Sequence, residues 1–182
     1  AMQADGVDIE TTIDKTLVRE KESAHLAFPL NVPGGIVRAD LGEAVVEFEK
    51  DQLPGSCKDF VGVTSAIDVS NAQAGVTIVS LDAPLFEIGA LTDERSVTGK
   101  PRAWRKQVAP GSDVFAYLLN NYWHTNYKAD QEGPMTFRFR VRPHGPFDPA
   151  ELRRAGGASE QPLLAMPAAL EAPLPALPFS LE

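Results

Sequence analysis

Short runs of alternating apolar and polar residues predict a chain built almost entirely from β-strands. In Ala44–Glu49 (AVVEFE), Val46 and Phe48 fall on one face of an extended segment, as expected of a half-buried strand. Asn71 and Gly75 supply turn chemistry for a hairpin. The predicted strands are Val7–Ile13, His25–Leu30, Gly35–Ala39, Ala44–Glu49, Gly62–Val69, Val76–Leu81, Leu85–Ile88, Val114–Leu119 and Met135–Val141. About nine short strands with almost no helical periodicity indicate an all-β, antiparallel β-sandwich.

One helix is predicted near the C-terminal end of this pattern. Asp148 supplies an N-cap and Pro149 a first helical residue, and the helix is predicted to stop at the glycine pair that begins with Gly156. The composition then shifts to proline, alanine and leucine, which suits neither a sheet nor a long helix. We therefore predict a β-sandwich domain over residues 1–157 and an extended tail over residues 158–182 that docks on another surface.

The net charge limits the classes of binding partner, and the cysteine content bears on the cellular compartment. A net charge of −8 and a pI near 4.9 argue against a nucleic-acid partner, which requires a basic face, and against an anionic membrane surface. No apolar run approaches the roughly 20 residues of a membrane-spanning helix. The single cysteine, Cys57, cannot form an internal disulfide, which favours a reducing compartment such as the cytoplasm. The localisation of a longer parent protein is left open.

The stretch Asn120–Gly133 (NNYWHTNYKADQEG) concentrates polar and aromatic side chains between two predicted strands. The histidines of the chain are scattered without HxxxH or CxxC spacing, so an orienting or exposed role for His124 is favoured over a metal site. Asp130 and Glu132 are close enough in sequence to reach the carboxyl separations found in glycosidases. Acids two residues apart in a loop are nevertheless common, and we predict no catalytic acid pair.

Sugar binding fits these residue types best. Aromatic rings such as that of Trp123 can stack on the apolar face of a sugar, amides both donate to and accept from hydroxyl groups, and His124 would position the loop. The candidate sugar-binding residues are Asn120, Asn121, Trp123, His124, Asn126 and Gln131. A second set, Asp51 and Gln52, either caps a turn or faces a ligand. The alternative for the whole stretch is that its amides tie the loop to its own backbone.

Three long blocks together resemble a known family. They are FPLNVPGGIVRADLG (28–42), DQLPGSCKDFVGVTSAIDVSNAQAGVTIVSLDAPLFEIG (51–89) and YLLNNYWHTNYKADQEGPMTFRFRVRPHG (117–145). In this order they are similar to the C-terminal β-rich region of alpha-mannosidases and their bacterial relatives in glycoside hydrolase family 38. The resemblance runs from about Val7 to Leu164 and implies a galactose-mutarotase-like supersandwich, of which this chain would hold only a part.

The resemblance also implies a division of labour within the parent enzyme. Family members hydrolyse alpha-mannosidic bonds with retention, using a zinc ion and an aspartate nucleophile in a separate N-terminal α/β barrel. The present chain shows neither the strand–helix alternation of such a barrel nor an Asp/His metal cluster. We therefore assign no catalytic or metal-binding residue here and expect zinc only in the barrel. An incomplete sandwich would leave open sheet edges, which predicts a homo-oligomer or a companion segment.

The leading functional hypothesis is an accessory domain of an alpha-mannosidase-like glycoside hydrolase. It would brace the catalytic barrel, contribute to glycan recognition on the leaving-sugar side of the cleft, and show no turnover alone. One alternative is a self-standing carbohydrate-binding module. Another is a purely structural or oligomerisation sandwich whose polar loop contacts no sugar.

Overall fold

The computed structural model describes residues 6–42, 44–92, 104–121 and 130–160, and within these ranges the chain is an all-β sandwich with one helix. The strands are Val7–Lys15 (β1), Ser23–Phe28 (β2), Ile36–Asp40 (β3), Val45–Glu47 (β4), Val61–Gly62 (β5), Ala66–Ser70 (β6), Gly75–Ser80 (β7), Leu85–Ile88 (β8), Val114–Asn120 (β9) and Gly133–His144 (β10), and the helix is Pro149–Glu160 (α1). The predicted fold class is confirmed, whereas the mutarotase-like supersandwich stays a prediction.

The strands form two antiparallel sheets. The larger sheet has the order β1-β10-β7-β6-β3-β4 and the smaller one the order β2-β9-β8-β5. The chain therefore changes sheets between β1 and β2 and again between β9 and β10. In the described part of the chain, β1 and β4 are the edges of the larger sheet, and β2 and β5 are those of the smaller. The predicted homo-oligomer would use such edges, and it stays a prediction.

The core lies between the two sheets. Each sheet turns alternate apolar side chains inward, as the period of two predicts. The rings of Phe28 in β2 and Phe139 in β10 meet edge to face across the interface, with 5.4 Å between their centroids. Around this pair lie the fully or nearly buried residues Val37, Val61, Ile67, Val69, Ile78, Phe86, Val114 and Ala116. Because both sheets contribute, neither can bury its apolar face without the other.

Each predicted strand segment contains a single strand except Gly62–Val69, for which the prediction was wrong. That segment holds the end of β5, in the smaller sheet, and most of β6, in the larger. Between them Val63 N donates to Pro84 O and Thr64 N to Asp40 O, both at 2.8 Å, so the chain crosses from one sheet to the other. A strand that changes sheets keeps its apolar pattern, and the pattern alone therefore does not reveal the break.

Helix α1 begins as predicted but does not end as predicted. Asp148 Oδ1 accepts a hydrogen bond from Ala150 N at 2.8 Å, which confirms the N-cap. The helix then runs through Gly156 and on to Glu160. A Cβ atom on Gly156 would overlap the side chain of Ser65, so this glycine permits close packing on the sheet rather than stopping the helix. The tail beyond residue 160 lies outside the described residues, and the predicted domain limit at 157 stays a prediction.

Candidate functional site

The Asn120–Gly133 connection crosses from one sheet to the other beside a second crossing. Asn120, the last residue of β9, lies opposite Ser23 at the start of β2. Gly133, the first residue of β10, lies opposite Lys15 at the end of β1. The connections 15–23 and 120–133 therefore start and end at paired positions of the two sheets.

Asn121 fixes the first end of the connection to its neighbour. Its backbone N–H donates to Glu22 O at 3.0 Å, and its side-chain Oδ1 accepts from Glu22 N at 2.5 Å. Its Nδ2 donates to Val18 O at 2.9 Å, and the residue is only 6% exposed. Both ends of this predicted sugar-contacting amide are thus bound to backbone groups, which favours the structural interpretation for this residue.

Asp130 fixes the second end of the connection to the same segment. Arg19 Nε donates to Asp130 Oδ2 at 3.4 Å. The Asp130 side chain is 8% exposed, whereas the Arg19 side chain is 84% exposed. The contact therefore joins a buried carboxylate to a guanidinium group on the surface. Residues 18–22 therefore hold both ends of the predicted sugar-binding stretch.

A shallow cleft of about 320 Å³ lies beside residues 18–22, which hold the two ends of the connection. Polar residues at the end of β1 and in the β1–β2 connection line it, among them Asp14 and the ion pair of Lys15 with Glu22. Leu119 of β9 is an apolar residue of the lining. A cleft that combines hydroxyl-matching groups with apolar side chains is chemically suited to a sugar ring.

The remaining residues of the first candidate set have mixed outcomes. Asn120 is half-buried at the end of β9, and Gln131 is exposed just before β10. Trp123, His124 and Asn126 lie outside the described residues, so their predicted contacts stay predictions.

The second candidate set, Asp51 and Gln52, caps a turn. Asp51 Oδ2 accepts from Glu47 N at 2.8 Å, and Gln52 Oε1 accepts from Glu49 N at 3.3 Å and also from Lys58 Nζ. The oxygen atoms that would face a ligand are therefore partly used by the turn itself, as one of the two sequence interpretations expected.

The structure does not bring the two sets together. Glu49, in the turn that contains the second set, accepts a hydrogen bond from Val108 N. The neighbouring Ala109 packs on Gly89 directly after β8, and Gly89 N donates to Asp113 O at the start of β9. The second set is thus tied to the beginning of β9, whereas the first set follows its end.

Two histidine–carboxylate pairs were missed by the sequence interpretation. His25 Nε2 lies 2.8 Å from Glu87 Oε1, and His144 Nε2 lies 2.6 Å from Asp68 Oδ2. Both carboxylates are almost fully buried and have further internal donors: Thr92 N for Glu87, and the hydroxyl groups of Ser70 and Thr77 for Asp68. Because the oxygen atoms of both carboxylates already accept hydrogen bonds from the protein, we interpret the two pairs as structural. No sequence motif marks them, because each joins residues more than 60 positions apart.

Trp104 was also missed, and it stands on the surface. The residue is 48% exposed, and its indole N–H donates to Gly55 O at 2.9 Å. The sequence signal was a large aromatic residue between charged neighbours, in a segment (RAWRK) without strand periodicity. Such a residue has no sheet to pack into and is a reasonable candidate for a surface role.

The ranges that the structure describes contain neither a candidate metal site nor a candidate membrane-spanning helix. Those residues contain no group of three or more His, Cys, Asp or Glu side chains that could hold a metal ion. No described helix is long and apolar enough to cross a membrane.

No protein-family model matches the chain, and no curated protein sequence matches it as a relative. The resemblance to family 38 therefore rests on the three sequence blocks and stays a prediction.

Proposed function

We propose that this chain is an accessory β-sandwich domain of an alpha-mannosidase-like glycoside hydrolase. It braces the catalytic barrel of that enzyme and contributes to glycan recognition, while zinc and the catalytic aspartate belong to the barrel. The proposal is supported by the three family-like blocks and agrees with the antiparallel sandwich fold.

The observation that carries the recognition role is the anchoring of the Asn120–Gly133 connection. Asn121 and Asp130 bind the same neighbouring segment, residues 18–22, through backbone amides and an ion pair. A connection held at both ends loses less conformational entropy when a ligand binds, and the loss of entropy is a major cost of association. The polar cleft beside the base adds hydroxyl-matching groups from Asp14, Lys15 and Glu22.

Calorimetric titration of the purified chain with alpha-linked manno-oligosaccharides tests the proposal. We expect saturable heat from the wild-type chain, and its loss on Trp123→Ala, the predicted stacking residue. Gln131→Ala, which removes an exposed amide next to the anchored base, is expected to weaken binding. Gln73→Ala removes a similarly exposed amide in the β6–β7 hairpin and is the matched control. An absence of heat with the wild-type chain contradicts the recognition role.

The accessory role has a separate test. The isolated chain is expected not to hydrolyse a nitrophenyl alpha-mannoside. Turnover that copurifies with the chain and survives a chelator would contradict the assignment of catalysis to a separate barrel.

A purely structural domain is the second candidate, and one observation favours it. The Asn121 amide is bonded to backbone groups at both its oxygen and its nitrogen, and the Asp51 and Gln52 oxygens cap their own turn. This candidate predicts that variants of the polar connection change stability and leave manno-oligosaccharides without measurable binding.

A further inference from the structure

Trp104 presents an apolar aromatic face whose polar atom is already used. The indole N–H is the only hydrogen-bonding group of a tryptophan side chain, and here it donates to Gly55 O at 2.9 Å. The residue as a whole remains 48% exposed. The hydrogen bond therefore fixes the orientation of the ring. The accessible part of the ring has no further hydrogen-bonding group, so it can contact an apolar surface.

The backbone around Trp104 is clamped to the turn that contains Asp51 and Gln52. Lys58 N donates to Arg105 O at 2.8 Å, and Val108 N donates to Glu49 Oε1. Glu49 adopts a left-handed backbone conformation, with φ of 72°, which is uncommon for a residue with a side chain. Residues held in such conformations cluster at functional sites, where the surrounding structure over-determines them. The turn and the Trp104 segment thus form one rigid unit.

The turn also carries polar groups. Gln52 Oε1 is occupied by Glu49 N and by the buried Lys58 ammonium group, which orients the amide. Among the described residues Gln52 Nε2 donates no hydrogen bond, and Gln52 is half-buried. Asp51 is exposed and has one oxygen engaged, with Glu47 N. The Trp104 indole is bonded to Gly55 O, at the end of the turn that carries this amide donor and carboxylate acceptor. An apolar ring on a turn with such groups matches a pyranose, which offers an apolar ring face and hydroxyl groups.

We propose that the face of Trp104 and the turn Asp51–Gly55 form a second glycan-binding surface, separate from the Asn120–Gly133 connection. Its ligand is a mannose-containing oligosaccharide with one pyranose ring stacked on the indole. This inference rests on the proposed function and adds a second contact region at the other end of β9. Leu53, in the same turn, is 78% exposed and supplies a further apolar side chain for the ligand.

Single-tryptophan variants test the inference, because the chain contains two tryptophans. Trp123→Phe leaves Trp104 as the only indole, and Trp104→Phe leaves Trp123. Titration of the Trp123→Phe variant with alpha-linked manno-oligosaccharides is expected to shift the emission of Trp104 to shorter wavelength in a saturable way. Adding Gln52→Glu keeps an oxygen that caps the turn and replaces the Nε2 donor by a charged acceptor. Loss of the hydrogen bond from Nε2 is expected to weaken binding about fivefold.

The outcomes separate this surface from the proposed function. If Trp123 responds to glycan in the Trp104→Phe variant while Trp104 does not respond in the other, the second surface is overturned and the proposed recognition role stands. If the wild-type chain gives no calorimetric heat and neither indole responds, both are overturned. A shift of Trp104 emission that depends on protein concentration and not on glycan identifies a contact between copies of the chain and also overturns the inference. Equal unfolding midpoints for the variants, measured in urea, confirm that folding is retained in the comparison.

Discussion

The side-chain amide of Asn121 ties the end of β9 to a distant segment of the chain. Its three hydrogen bonds reach Val18 and Glu22, about 100 positions earlier in the chain. The residue is buried, so water cannot replace these partners when the side chain is removed. A buried backbone group left without a partner costs more than the net value of the bond itself.

The first prediction concerns this residue. Asn121→Ala is expected to lower the free energy of unfolding by about 1–3 kcal/mol, because it leaves Glu22 N and Val18 O without their partner. Gln131→Ala, at an exposed position, is the control and is expected to change it by less than about 0.5 kcal/mol. Urea denaturation followed by circular dichroism measures both. Equal midpoints for Asn121→Ala and the wild-type chain would contradict the anchoring role.

Helix α1 packs on the outer face of the larger sheet through small residues. Leu152 and Ala155 contact Ala66 and Val79 in a separate apolar cluster. Gly156 follows and brings the helix backbone against Ser65, whose hydroxyl donates to the buried Asp40 carboxylate at 2.6 Å. The absent side chain is therefore a packing requirement of this element.

The second prediction follows from the glycine pair. Gly157→Ala meets open space and is expected to stabilise the protein by about 0.5–1 kcal/mol, the usual gain from replacing glycine in a helix. Gly156→Ala gains the same propensity but overlaps Ser65, and overpacking of this kind costs about 1–3 kcal/mol. Thermal unfolding of the two variants should therefore move in opposite directions. A rise in midpoint for Gly156→Ala would contradict the close packing.

At the scale of the whole molecule, we expect two arginine–aspartate pairs around β10 to contribute to stability in acid. Arg140 donates two hydrogen bonds to Asp8, and Arg138 donates to both carboxylate oxygens of Asp82. The hydrogen bonds from Arg140 lower the pKa of Asp8 below 3.8, and those from Arg138 lower the pKa of Asp82 below 3.8. Asp82 in turn raises the pKa of Arg138. A lowered carboxyl pKa in the folded state contributes stability that is present above 3.8 and is lost as the pH falls through the folded value.

The third prediction tests this linkage with an Asp8→Asn, Asp82→Asn double variant. The wild-type chain is expected to be the more stable of the two by a constant margin from neutral pH down to about pH 4, and the margin should vanish at lower pH. High salt should also reduce it, because the pairs are exposed and screened. Urea midpoints across a pH series provide the measurement. Asp14→Asn, at an exposed position of β1, is the control. A margin that grows as the pH falls would contradict the assignment.

Part of the candidate site was predictable because its signals are local. Residue types marked Asn120–Gly133 and the turn at Asp51 as polar features, and the choice between ligand contact and self-bonding was left open. That choice depends on partners such as Glu22 for Asn121, which no spacing in the sequence indicates. The position of Trp104 was not predicted either, because its hydrogen-bond partner Gly55 lies 49 positions away in the sequence.

Local patterns were enough to predict the all-β class, most strands, the Asn71 turn and the start of α1. These depend on the period of two in a strand and on side-chain to backbone bonds over two or three residues, such as Asn71 Oδ1 with Gln73 N and Ala74 N. Three other features depend on long-range contacts: β5 and β6 belong to different sheets, α1 continues through Gly156, and residues 18–22 hold both ends of the polar connection. Those outcomes depend on which distant surfaces meet when the two sheets close on one core, and a local pattern carries no information about that choice.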